Sequence, residues 1–379
     1  MLEWTLSVYV MLFDFSKLAK IFNFGGLTSD EGGVVGVDIG SSSIKVVQLK
    51  RVGGGAVLET YGELQLGPYA NVEIGRATNL DPARLSEALV DIVREASVSS
   101  KKIALGISYS ASFLAVITLP VADEAQLASM VPIEARKYVP VPINEVTIDW
   151  FVIPDTRGET GAAKGTTLRI LLAAIHNEAL GKYRTVAKNA ALSAGFTEIE
   201  VFSTIRSSVL EEDGIVVLLD LGAATTKLYV VDGGIVQRTH SITAGSQDMT
   251  LALSQALQLS VADAEELKRQ VGLSEAGNDP RIKQSLNFTL ERILAESRRV
   301  VGAYEIATKV KVSKVILTGG GALLKGLLAT AKTYFERDVV LADPFSKVEY
   351  PAFLEDTLKE AGPSFAVAIG VALRRLNEE

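Results

Sequence analysis

Val34-Val35-Gly36-Val37-Asp38-Ile39-Gly40-Ser41-Ser42-Ser43-Ile44-Lys45-Val46-Val47-Gln48-Leu49 is the stretch on which the fold is decided. An apolar run closes on an acidic residue and a glycine, three serines follow, and a second apolar run begins at once. Strand, tight Gly/Ser turn and strand make a hairpin. Its turn presents backbone N–H groups and hydroxyls to one small concavity, a geometry that receives phosphate oxygens. Asp38 stands where a magnesium-bound water needs an anion. Lys45, seven residues on, can return toward phosphates as a point charge. The competing reading is an ordinary hairpin with a solvent-facing lysine.

The pattern returns 182 residues later, from Asp38 to Asp220. Val216-Val217-Leu218-Leu219-Asp220-Leu221-Gly222 repeats the apolar strand with its Asp and Gly. Ala223-Ala224-Thr225-Thr226-Lys227 supplies the small and hydroxyl turn, and Leu228-Tyr229-Val230-Val231 the second strand. Two such hairpins in one chain predict a duplicated domain with a nucleotide clamped between the halves. A third signal is Lys314-Val315-Ile316-Leu317-Thr318-Gly319-Gly320-Gly321-Ala322, a buried strand running into three glycines at the mouth of a helix over 323–335. Glycine lets the backbone approach a ligand closely, and a helix start offers free N–H donors. Glu265 and Lys268 share one face of a helix capped by Ser260; taken alone, they read as a solvated charge pair.

Between the hairpins, residues 61–66 continue the sheet, and Asp81-Pro82 opens a helix whose Leu85, Leu89, Ile92 and Val93 face the core. Strands are predicted at 102–107 and 112–119, a mostly helical stretch at 122–138 that Val139-Pro140-Val141-Pro142 stops, and strands again at 146–153 and 168–175. A Gly/Thr-rich hairpin end lies at 156–167. This group reads as a small module inserted at about 101–176. A helix over 177–194 leads to a strand near 198–202. A further strand lies at 234–242, a long helix runs from about 279 to 310, and a buried helix closes the chain at 365–373.

Composition removes whole classes of chemistry. At roughly 150 residues per domain, 379 residues predict two to three domains. The chain has no cysteine, which excludes disulfides, thiolate nucleophiles and zinc-thiolate or iron–sulfur sites. With His176 and His240 as its only histidines, a catalytic triad or multi-histidine metal site is not expected. A net charge of -7 argues against a nucleic-acid binder that works by neutralising phosphates. The apolar stretch within residues 1–24 lacks a basic leader and is shorter than the ~20 residues that span a bilayer. Leu18, Ile21 and Phe22 fit an amphipathic helix on a membrane surface or partner, or a locally packed tail. Gly25-Gly26 and Gly32-Gly33 read as a flexible link.

The two hairpins and the glycine motif together resemble the actin-like ATPase superfamily. Within it, 35–47, Glu134-Ala135-Arg136-Lys137-Tyr138-Val139-Pro140-Val141-Pro142-Ile143-Asn144-Glu145-Val146, Asp220 to Ala223 and Leu317 to Gly321 resemble the PilM family of type IV pilus assembly proteins, over about residues 34–376. The resemblance implies an α/β, actin-like two-domain fold with an FtsA-type inserted subdomain. It divides the chain into a tail (1–33), domain I (34–212), domain II (213–362) and a C-terminal helix returning to domain I (363–379).

The site follows from the same resemblance. ATP or ADP with Mg2+ would lie against Asp38, Gly40, Ser41, Ser42, Ser43 and Lys45, and against Asp220, Gly222, Ala223 and Thr225. Glu265, Lys268, Gly319, Gly320 and Gly321 would flank the adenosine, with Asp38 and Asp220 holding the metal through water. Glu200 lies where division and cytoskeletal relatives carry a water-orienting Glu-Pro; here Val201 replaces the proline, so at most slow hydrolysis is expected. The implied role is a cytoplasmic scaffold at the inner face of the membrane, binding the cytoplasmic tail of a PilN-like bitopic partner. Self-association is left open, and the chain is membrane-peripheral at most. The alternatives are a small-molecule kinase of the superfamily, or an FtsA-like division tether. Against the tether stands the ending Leu376-Asn377-Glu378-Glu379, which leaves no room for an amphipathic C-terminal helix.

Overall fold

The computed structural model describes residues 33–120, 126–154, 167–274 and 279–378. The features expected over 1–24, the Gly25-Gly26 link, the start of the 122–138 helix and most of the 156–167 hairpin end lie outside the described residues. The chain runs β1 (Val34–Ile39), β2 (Ser43–Val52), β3 (Gly55–Gln65), α1 (Pro82–Glu95), β4 (Lys102–Ile107), β5 (Ser112–Leu119), α2 (Leu127–Ala135) and β6 (Val146–Val152). Next come β7 (Leu168–His176), α3 (Asn177–Asn189), β8 (Ser193–Ile199), α4 (Glu200–Ser208), β9 (Ile215–Leu221), β10 (Thr226–Asp232), β11 (Ile235–Ile242) and α5 (Ser246–Leu257). The last elements are α6 (Val261–Val271), α7 (Pro280–Thr308), β12 (Lys314–Thr318), α8 (Leu327–Phe335), β13 (Asp338–Leu341), α9 (Glu355–Ala361) and α10 (Ala366–Glu378).

Two five-stranded sheets repeat one topology, β3-β2-β1-β4-β8 and β11-β10-β9-β12-β13. In each, an antiparallel meander of three strands continues into two parallel ones. β1 and β9 are central and covered on both faces, which is why they read as nearly continuous apolar runs. The hairpins align each acid with a lysine: Asp38 opposes Lys45 and Asp220 opposes Lys227. A third, antiparallel sheet, β5-β7-β6, packs against α2 through Ile117, Leu127, Val131, Ile170 and Leu172. Asp81 caps α1 as expected, its carboxylate accepting from the Ala83 and Arg84 amides. Among the described residues no helix is long and apolar enough to cross a membrane.

Several expectations shift. Residues 102–107, grouped above with the inserted module, pair in parallel with β1 and β8 and so belong to the first large sheet. The helix after β7 ends at Asn189, and the turn that follows carries Ala191 at φ 55°. The expected strand near 198–202 is in fact the end of β8 and the start of α4. Its apolar residues Val201, Phe202 and Ile205 are a buried helix face, and a short apolar run does not separate the two cases.

α4 and α10 lie together beneath the sheets. Gly370 lets α10 approach the Ser203 carbonyl, where a Cβ would collide with backbone. A buried charge cluster ties the pair to β8. Glu198 is bound by Arg206 at 2.8 Å through both carboxylate oxygens, by Arg374 at 2.7 Å and by the Ser203 hydroxyl at 2.7 Å. The Arg374 guanidinium also stacks 4.6 Å from the Phe196 ring centre. Burial opposes ionisation of Glu198, but the two arginines outweigh it and hold its pKa at about 2, against 4.5 ordinarily. A lowered carboxyl pKa stabilises the fold above the unfolded value, and that stability is lost as pH falls through the folded one. Glu198→Gln is therefore expected to cost about 3 kcal/mol in urea unfolding at pH 7. The gap from wild type should narrow from pH 4.5 down to 2; a gap independent of pH contradicts this assignment.

Candidate functional site

The two hairpin turns are built alike. The Gly40 amide donates to the Ser43 carbonyl at 3.0 Å, and the Gly222 amide to the Thr225 carbonyl at 3.0 Å. Neighbouring segments tie the turn carbonyls back. Thr78 and Leu66 amides reach the Ser41 and Ser42 carbonyls at 2.8 Å each, and the Ser246 and Gln247 amides reach Gly222 and Ala223 at 2.9 and 3.0 Å. The amides of Ser41, Ser42, Ala223 and Ala224 make no hydrogen bond among the described residues. Both turns line a single cavity of about 650 Å³, together with Gly319, Gly320 and Gly321. Free amides converging on a cavity form an anion-binding nest. This donor set suits a phosphate chain.

The glycines have separable reasons. Gly319 adopts φ 81°, and a Cβ there would run into Asp220 and the Leu221 carbonyl. At Gly320 a Cβ would meet nothing within 4 Å, so its backbone borders open space. The motif does not open an α-helix as expected. Residues Gly320–Leu323 form a 3-10 turn and α8 begins only at Leu327, with Gly326 at φ 83° between them.

Charge at the cavity floor is distributed unequally between the halves. Lys45 turns to the Ser43 hydroxyl at 2.8 Å and to Glu63 at 3.3 Å. The carboxylate of Asp38, the cross-strand partner of Lys45, has no hydrogen bond or ion pair among the described residues. Burial pushes the Asp38 carboxyl up to about 6, with Glu200 and Asp220 adding to the rise and Lys45 and Lys227 opposing it. An under-compensated carboxylate suits a hydrated cation. In the second half Lys227 sits 2.8 Å from Glu200 and 3.3 Å from Asp220. Glu200 begins α4 and also accepts the Tyr109 amide at 2.6 Å. Burial alone would lower the Lys227 pKa, yet Glu200 and Asp220 raise it far above the ordinary lysine value. Lys227 is absent from the residues that the sequence singles out, although the signal that selects Lys45 (seven residues after the Asp) applies to it equally.

Glu265 and Lys268 also line the cavity, but they are not a solvated pair. They are buried at 2.7 Å from one another, with Thr250 on α5 bonded to both, at 2.6 and 2.8 Å. Arg269 adds a third contact to Glu265 at 2.7 Å. Burial works against both charges; its effect prevails at Lys268, lowering its pKa, whereas the partners of Glu265 prevail and lower that carboxyl. Opposite them, Gly75 abuts the Glu265 carboxyl, and the Ala77 amide donates to Gln247 at 3.0 Å. The segment after β3 thus reaches across the cavity mouth to the second half. All the expected site residues line this cavity.

Residues 36–376 match the family described as Type IV pilus assembly protein PilM. Among solved structures, a PilM-PilN type IV pilus biogenesis complex superposes with a TM-score of 0.77 at 24% identity, covering 92% of this chain and 99% of that one. MreB5 of Spiroplasma citri, solved with AMPPNP, gives 0.53 at 11% identity, covering 92% and 98%. EutJ of Carboxydothermus hydrogenoformans gives 0.52 at 16% identity, covering 95% and 94%. At these identities the structural likeness shows the fold, which is the actin-like two-domain one. The cell division protein FtsA of Helicobacter pylori is 28% identical over 183 residues; the match covers 42% of this chain and 37% of that relative.

A raised carboxyl pKa has a definite sign. The fold is unburdened below pH 3.8, and stability is lost as pH rises through about 6. Asp38→Asn is therefore expected to raise the ligand-free unfolding free energy by about 1–3 kcal/mol at pH 7. Chemical denaturation across pH should show the gain emerging between about pH 4 and 6. A loss of stability at pH 7 would refute the assignment.

Proposed function

Because the chain belongs to the type IV pilus assembly protein PilM family, we propose that it is a nucleotide-binding cytoplasmic scaffold of the pilus assembly platform at the inner face of the membrane. The observation that carries the nucleotide reading is the paired turns with free amides facing one cavity. Ser41, Ser42, Ala223 and Ala224 amides would take phosphate oxygens, and Gly319 to Gly321 would lie along the adenosine beside Glu265 and Lys268. Asp38, with Asp220, would hold waters of a magnesium ion. Bound ATP or ADP would supply a charged bridge between the two halves. The chain's own residues argue for slow turnover. Glu200, the candidate for orienting water, is occupied on one oxygen by Lys227 and the Tyr109 amide, and no histidine lines the cavity among the described residues.

The nucleotide reading is tested where a side chain can fill the site without straining the fold. Gly320→Val projects into open space, so its ligand-free melting temperature should stay near wild type. Magnesium-ADP or magnesium-ATP should raise the wild-type melting temperature, and the variant should bind roughly tenfold or more weakly, about 1.4 kcal/mol. Equal nucleotide shifts in both proteins would remove nucleotide from this cavity.

The partner in this reading is the amino-terminal cytoplasmic tail of a PilN-like bitopic membrane protein, a choice supported by the likeness to the solved PilM-PilN complex. A groove bordered by Arg136, Val141, Pro142, Ile143 and Asn144 lies beside α2, and an extended peptide can place apolar side chains there. A synthetic tail titrated by fluorescence anisotropy should bind wild type and lose roughly tenfold or more with Ile143→Asp. Unchanged affinity in that folded variant would move the partner to another face.

A further inference from the structure

The duplication places two equivalent Asp–Lys pairs at the cavity floor, and the two lysines are used differently. In the first half, Lys45 leaves Asp38 and joins Ser43 and Glu63. In the second, Lys227 lies between Glu200, at the start of α4, and Asp220, from β9, at 2.8 and 3.3 Å. Its side chain is 12% exposed, and those of Glu200 and Asp220 are 9% and 13% exposed. An ammonium bridging two carboxylates in such a place does what a bound divalent cation does elsewhere. It neutralises the acids that converge on a phosphate site, but it is covalently attached and cannot be titrated away.

We propose that Lys227 is a resident counter-ion occupying the seat between Glu200 and Asp220 that a divalent cation would otherwise take, which keeps the cavity metal-free until phosphates arrive. A metal ion entering without phosphate would face an ammonium at contact range, and like charges that close repel strongly in a low-dielectric site. Among the described residues no group of three or more acids or histidines is arranged to hold a metal, although Asp38, Asp220 and Glu200 all border the cavity. Of that set, Lys227 contacts Glu200 and Asp220 directly. The same bridge occupies Glu200, so the residue placed to orient water is held as a structural anion. The proposal deepens the nucleotide reading above, but its central consequence concerns metal alone and is measured without nucleotide.

The probe is Mn2+, titrated into the full chain and followed by water-proton relaxation and by melting temperature. Wild type and the charge-preserving Lys227→Arg should show no Mn2+ binding at the cavity below millimolar concentration. Lys227→Met, which removes the cation and leaves the carboxylates, should gain one site roughly tenfold or more tighter, about 1.4 kcal/mol. It should melt at lower temperature without metal and be restored by Mn2+. A purely structural lysine would lower the melting temperature without creating a metal site, and that result overturns the proposal. Tight Mn2+ binding to wild type that Asp38→Asn abolishes overturns it too, and needs no Lys227 variant to fold. Nucleotide shifts measured on the same samples separate the two ideas. Wild type that responds to magnesium-ADP, with no metal gain in Lys227→Met, retains the nucleotide reading and discards the counter-ion.

Discussion

Burying like charges at the floor of one cavity is the constraint around which this molecule is arranged. β1 and β9 each run through an apolar core and bring a carboxylate to the same small volume, where α4 adds Glu200. Taking charges out of water costs several kcal/mol per ion unless partners replace the solvent. The second half meets this cost with Lys227. The first half does not meet it, because Lys45 is engaged by Ser43 and Glu63, and Asp38 stays a reluctant acid. That asymmetry between duplicated hairpins is the chemical polarity of the site. One side is already neutralised, and on the other the Asp38 carboxylate has no ion-pair partner among the described residues.

The same helices that border the cavity anchor it from behind. α4 carries Glu200 at its first residue and, about one and two turns on, Ser203 and Arg206, which close on Glu198 with Arg374 of α10. A helix pair packed so closely that Gly370 touches the Ser203 carbonyl transmits displacement rather than absorbing it. A ligand that drew Asp38 and Asp220 together would therefore act on α4 and α10 through close contacts.

The paired hairpins and the glycine strand are legible in the sequence because their signals are local. An apolar run, an acid and a small turn fix a hairpin wherever they occur, and the duplication doubles the evidence. What stays hidden depends on partners distant in sequence. Residues 102–107 and 112–119 look alike as strands, and only pairing with β1 and β8 separates them. The run 198–202 reads as strand until the burial of its second half against α10 is known. Glu265 and Lys268 look like surface charges until Thr250 and the neighbouring helix enclose them. Lys227 is visible in the repeat itself, but its role depends on Glu200, a residue placed there by α4.

Backbone amide exchange probes the proposed clamp itself, because the free turn amides are the groups a phosphate chain would cover. With magnesium-ATP or magnesium-ADP, hydrogen–deuterium exchange should slow over residues 40–43, 222–225 and 319–323 together, with little change in the β5-β7-β6 module. Protection confined to one hairpin, or found only elsewhere, would contradict a nucleotide clamped between the two halves.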